Sequence, residues 1–252
     1  MAGLTLIDDT YNIRARLAPA VIVFLPLVFA VTSWFPGDTK WGVLAGVGVS
    51  LALGTLLSQL GRDLGKAKQS KLFRKFGGTP TTLLLAYRSS TLNQLTLDRC
   101  HEVLRQLRPD LRVPRNKDEE LLDTASADAV YGSCTDALRE ISRDKAKFPL
   151  VFEENVNFGF RRNLWAMKPA AVATVFLSAV ACFVRAGLQM EATQSIDPVP
   201  AAFGVACTML LVFWCVRIRP PWVRTAAFAY AERLLGICET LTFPKPEPRI
   251  VT

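Results

Sequence analysis

Leu17–Phe35 reads LAPAVIVFLPLVFAVTSWF, and this stretch decides what kind of protein the chain is. Thr32 and Ser33 are its only polar residues. At about 1.5 Å per residue, nineteen helical residues reach about 29 Å, close to the roughly 30 Å hydrocarbon layer of a bilayer. A membrane span is therefore expected here. Arg14 and Arg16 precede the run, as they would in a signal peptide, but the apolar stretch is longer than a signal core. A second charge-free run, Trp41–Leu60, begins after only five residues, 36–40, so the first segment is expected to stay in the protein.

Two further charge-free runs, Pro169–Val184 and Val199–Val216, are shorter but within spanning range once tilted or flanked by snorkelling arginines. Four crossings follow. The section 61–166 holds 19 Lys+Arg against 14 Asp+Glu, and the tail from Arg217 holds six basic and three acidic residues. By the positive-inside rule, this section and both termini are expected to face the cytoplasm. The expected organisation is an N-terminal cytoplasmic segment 1–16, a transmembrane hairpin 17–60, a basic cytoplasmic domain 61–166, a second hairpin 167–216 and a cytoplasmic helix and tail 217–252. The fold class is an all-α membrane protein.

Within 61–166, Gly77-Gly78 and Thr79-Pro80 mark a turn and a helix start, with a short helix to about Arg88. Leu97, Cys100, Leu104 and Leu107 recur at helical spacing over 96–107, a helix stopped by Pro109. Residues 110–118 read as a polar connection, and 126–147 as a third amphipathic helix. Only Val156, Phe158 and Phe160, alternating with polar or small neighbours, read as strand. Pro220-Pro221 opens a last helix whose Val223, Ala227, Tyr230, Leu234, Ile237 and Leu241 form a heptad seam. That seam suits packing within the chain or a contact between subunits.

The basic stretch GRDLGKAKQSKLFRKFGG, 61–78, carries six cations and one acid, Asp63, between Arg62 and Lys75. It is no P-loop: Gly61 and Gly65 are one residue too close, and Ala67 follows Lys66 where a hydroxyl is needed. As a helix it sets Leu72, Phe73 and Phe76 against Lys68, Lys71, Arg74 and Lys75. Such a face meets anionic lipid, or it receives a polyanion with help from Arg105, Arg108, Arg112, Arg115 and Lys117. The polyanion-binding set is then Arg62, Lys66, Lys68, Lys71, Arg74, Lys75, Arg105, Arg108, Arg112 and Arg115.

Small residues recur every fourth position on the second span at Gly42, Gly46, Ser50, Gly54 and Ser58, and on the third at Ala166, Ala170, Thr174, Ser178 and Cys182. Ribbons of this kind allow close helix packing, and they also suit a pore lining without fixed charge. No ionisable residue lies mid-span, which argues against ion-coupled transport. Enzyme chemistry finds little support: His101 is the sole histidine, the six cysteines show no CxxC spacing and read as small buried apolar side chains, and Glu153-Glu154 suits an interfacial collar with Arg161, Arg162 and Trp165. No catalytic residue, metal or cofactor is expected.

Three stretches, GRDLGKAKQSKLF (61–73), FGGTPTTLLL (76–85) and KFPLVFEENVNFGFRRNLW (147–165), resemble those of a widespread group of bacterial four-span membrane proteins. The layout resembles transmembrane effectors of anti-phage systems, most nearly the channel-forming effector of Hailong-type defence. That resemblance implies a homo-oligomeric ion channel, expected as a tetramer, held closed by DNA oligomers from a partner nucleotidyltransferase and opening to depolarise an infected cell. The alternative is a membrane-anchored scaffold without a pore.

Overall fold

The structure is a computed structural model and describes residues 11–35, 59, 61–194 and 198–241. Apart from Gln59, the expected second span lies outside them. All elements among the described residues are helical, as expected for an all-α protein. Helix α1 is Asn12–Trp34, its first turns π-helical; α2 covers 61–76; α3 is Pro80–Leu85, α4 Gln94–Leu107, α5 Lys117–Leu122 and α6 Thr124–Ile141. Helix α7 is Pro149–Thr193, α8 is Pro198–Arg217 and α9 is Pro220–Leu235, followed by the 3₁₀ turn Gly236–Glu239.

Among the described residues three helices are long and apolar enough to cross a membrane: α1, α7 over Pro149–Ala192, and α8. Val156, Phe158 and Phe160 lie inside α7 and form no strand. Their two-residue alternation is coincidental, because the buried positions Val156, Asn163, Met167, Ala171, Val175, Ser178 and Cys182 continue along α7 in helical steps. At 45 residues, α7 is roughly 67 Å long, about twice what a bilayer needs.

The chain divides into two compact units, 1–72 with 156–226 and 73–155 with 227–252. In the first, α1 and α7 run parallel: Asn163 Nδ2 donates to Ala15 O at 2.8 Å near the start of α1, and Trp34 Nε1 donates to Ala181 O at 3.1 Å near its end. Helix α8 packs on both through Cys207 and Trp214, and Phe203 stacks on Phe29 with ring centroids 4.9 Å apart. Cations bracket the apolar length of α7. Lys168 Nζ donates to Cys215 O at 3.2 Å and Ile218 O at 2.9 Å, neutralising carbonyls left open at the C-terminus of α8. Seventeen residues on, Arg185 Nε donates to Ser33 O at 3.3 Å with its guanidinium over the Trp34 ring. That interval corresponds to about 26 Å of helix, a membrane's apolar depth.

The second unit is a helical domain around Leu84, Leu85, Val103, Leu104, Tyr131 and Leu138. Its helices start where the sequence supplies caps: Asn93, Asn116 and Asp123 accept from the amides of Leu95, Glu119 and Ser126 at 2.8 to 2.9 Å. Gly77, at φ +90°, ends α2 in the left-handed conformation, its amide bonded to Arg74 O. Pro80 opens α3 as expected, but Thr79 makes no side-chain cap and the helix stops at Leu85. Ala231, Leu234, Leu235, Ile237 and Cys238 sit in this same core, so the C-terminal seam is used for packing within the chain.

Candidate functional site

Helix α2 presents the basic stretch. Lys66, Lys71, Arg74 and Lys75 are exposed on it, while Leu72 and Phe76 are buried, which is the amphipathic division expected. Lys68 behaves differently: its Nζ donates to Ala166 O at 2.8 Å. Gly65 serves packing. A Cβ there would clash with the Asn163 amide oxygen, so the glycine that imitates a phosphate loop is what lets α2 approach α7.

The other expected polyanion ligands lie in the helical domain, and most of their charge is already answered there. Arg105 pairs with Glu102 at 2.7 Å, Arg108 grips Asp110 through two bonds of 2.9 and 2.7 Å, and Arg112 pairs with Glu119 at 2.9 Å. Exposed Arg115 shares Glu119 with Arg112 through its backbone amide. These exposed pairs cost little to open, each contributing at most about 1 kcal/mol.

Ser178 is only 2% exposed and Cys182 is fully buried, 3.5 Å from Ser33 Oγ, whereas Thr174 is half-buried. The α7 small-residue ribbon is thus partly consumed by contacts inside one chain. Gly42, Gly46, Ser50, Gly54 and Ser58 lie outside the described residues. Five of the six cysteines are buried as expected; Cys215 is exposed. Burial pushes the Cys134 thiol up to about 11, which keeps it protonated. No group of three potential metal-ligating side chains converges among the described residues.

Sequence reasoning missed a buried polar centre in the domain. Glu120, 0% exposed, accepts from the Tyr87 amide at 2.6 Å, Arg88 Nη1 at 2.6 Å and Tyr131 Oη at 3.0 Å. Arg88 also reaches Asp128 at 2.6 Å, and this bond is the chief reason its guanidinium is held above the ordinary arginine range. Burial, reinforced by the Glu120 charge, raises the Tyr131 phenol far above its usual value. His101, also fully buried, lies between Tyr87 and Tyr131 with ring centroids 4.4 and 5.5 Å away. Its Nε2 donates to Leu85 O at 2.8 Å, and Nδ1 has no hydrogen-bond partner among the described residues. Closed round a carboxylate and a neutral imidazole, the centre fixes α3, α5 and α6 in place.

Burial lowers the His101 pKa, so its folded form resists a proton that the unfolded chain accepts below about pH 6.5. The sign follows from proton linkage: no penalty above that pH, a growing loss of stability as pH falls toward the folded pKa. Thermal unfolding of the detergent-solubilised chain is expected to be flat from pH 8 to 7 and to drop between pH 6.5 and 5.5. His101→Gln, which keeps a donor for Leu85 O, should flatten that drop.

No family model, curated protein or solved structure matches the chain.

Proposed function

We propose that this chain is a membrane effector that assembles with copies of itself around an ion-conducting path, and that its helical domain takes a polyanion of oligonucleotide chemistry. The observation that carries this reading is how the chain passes between its two units. All three passages, at 72/73, 155/156 and 226/227, fall inside helices: α2, α7 and α9. A passive anchor needs only a loop, whereas α7 runs unbroken from the passage at 155/156 into an apolar length able to cross a membrane, which supports transmission of a domain displacement to a span. The exposed face of α2 includes Arg74 and Lys75, which supports contact with a polyanion. Burial of Ser178 and Cys182 within the chain supports a pore lining drawn chiefly from Gly42, Gly46, Ser50, Gly54 and Ser58 of the second span.

The buried state of Ser178 and Cys182 favours a second reading, a membrane-anchored scaffold without a pore. Oligomeric state separates them: a ring of four or more chains supports the effector, a detergent-solubilised monomer the scaffold. For the ligand, the triple charge reversal Lys66→Glu, Lys71→Glu and Arg74→Glu is expected to weaken single-stranded oligonucleotide binding. The logarithmic salt slope should become shallower by about 0.7 for each phosphate that the variant no longer neutralises. Unaltered affinity and slope would assign this face to lipid.

A further inference from the structure

In the second unit, two buried cysteines from distant parts of the chain meet in the core. Cys100 on α4 and Cys238 in the 3₁₀ turn Gly236–Glu239 are both 0% exposed. Cys100 Sγ donates to Leu235 O at 3.7 Å, and Cys238 stands three residues further on. Side chains three apart eclipse in a 3₁₀ turn, so Cys238 follows Leu235 onto the side that meets α4. Just beyond the turn, Arg99 Nη2 donates to Leu241 O at 3.1 Å, and α4 thus holds this segment on both sides of Cys238. Cα atoms of α4 and of the turn come within 8 Å of each other. A disulfide needs roughly 4.4–6.8 Å between its Cα atoms, a small further approach.

The two thiols are not equivalent. A hydrogen bond from Cys238 is the chief reason the Cys100 thiol is held below its ordinary value, and the same bond, then burial, raises that of Cys238. Cys100 is therefore the readier thiolate, the form that attacks an oxidant. Cys134, in the same core, has the charges of Arg108 and Asp110 acting on it and no thiol beside it. Reaction at Cys100 waits on opening of the turn, whose hydrogen bonds are poorer than those of an α-helix. Gly236, Glu239 and Thr240 are exposed on its outer side, and a Cβ on Gly236 would meet nothing within 4 Å, so no neighbour covers that side.

We propose that Cys100 and Cys238 are a redox pair that a peroxide closes into a disulfide, clasping the 3₁₀ turn to α4. The Cys100 thiolate attacks one oxygen of hydrogen peroxide; the O–O bond breaks, the departing hydroxide takes a proton and leaves as water, and Cys100 becomes a sulfenic acid. The Cys238 sulfur then attacks the Cys100 sulfur, the S–O bond breaks, and the hydroxide leaves as a second water with the Cys238 proton. Two thiols and one peroxide give one disulfide and two waters. The pair stands whether or not the protein conducts ions. The full chain in mild detergent, reduced, freed of reductant and exposed to hydrogen peroxide, is then unfolded, alkylated with N-ethylmaleimide and digested without reduction. Mass spectrometry should find a linked peptide pair containing Cys100 and Cys238 that dithiothreitol separates, with Cys134 alkylated. Cys238→Ser should abolish the link and leave Cys100 as a sulfenic acid that dimedone traps. Cys215→Ser, which removes the exposed thiol, should leave the yield of the link unchanged. Cys100 and Cys238 alkylated as fully as Cys134 after peroxide, or linked indiscriminately to Cys134 and Cys215, would overturn the proposal. The peptide map of the unaltered chain needs no variant to fold.

Discussion

Glu120→Ala is expected to destabilise the helical domain by about 3–5 kcal/mol, the usual result of removing one partner from a buried ionic centre. The carboxylate is fully buried and gathers three groups from two segments of chain: the Tyr87 amide, the Arg88 guanidinium and the Tyr131 hydroxyl. Truncation leaves the amide and hydroxyl without an acceptor in a closed core, where each unsatisfied group costs about 1–3 kcal/mol. Arg88 keeps Asp128, which limits the loss. Chemical denaturation of the solubilised chain measures it. Asp118→Ala, at an exposed position of the same helix, is the control and should change stability by less than about 1 kcal/mol. Similar losses for both would mean that Glu120 is solvated.

A second large effect belongs to Gly65. Because its Cβ would clash with Asn163 Oδ1, Gly65→Ala forces that buried amide to move and strains its bond to Ala15 O. Overpacking together with a weakened buried hydrogen bond predicts a loss of about 2–4 kcal/mol. Gly61→Ala on the same helix provides the contrast. Its Cβ would meet the Met167 sulfur at 2.8 Å, and a flexible thioether swings aside. A double-mutant cycle of Gly65→Ala with Asn163→Ala should be strongly non-additive, the second change relieving the clash created by the first. Additive losses in thermal unfolding would contradict the close approach of α2 to α7 at Gly65.

The sequence disclosed the apolar helices readily, since a run such as Leu17–Phe35 carries its own length scale. The domain helices were legible where periodicity was clear, as at Leu97, Cys100 and Leu104, although the Asn93 cap that starts this helix at Gln94 was not read. Reading failed where one residue's environment depends on distant segments. In Lys117-Asp118-Glu119-Glu120, nothing local separates the exposed Glu119 from the buried Glu120; the difference comes from Tyr87, Arg88 and Tyr131 closing over one of them. Charge counting likewise took Arg105, Arg108 and Arg112 as open cations, although carboxylates two to seven positions away pair with them. The strand reading of 156–160 failed because a five-residue alternation is too short to outweigh a helical stripe running on to Cys182.

Conductance measured on the purified full chain in a planar bilayer, with and without a single-stranded oligonucleotide on either side, tests the central claim most directly. Discrete current steps that respond to the oligonucleotide, and whose response disappears on reversing Lys66, Lys71 and Arg74, are the predicted result. A bilayer that stays electrically tight under every ligand condition would contradict it.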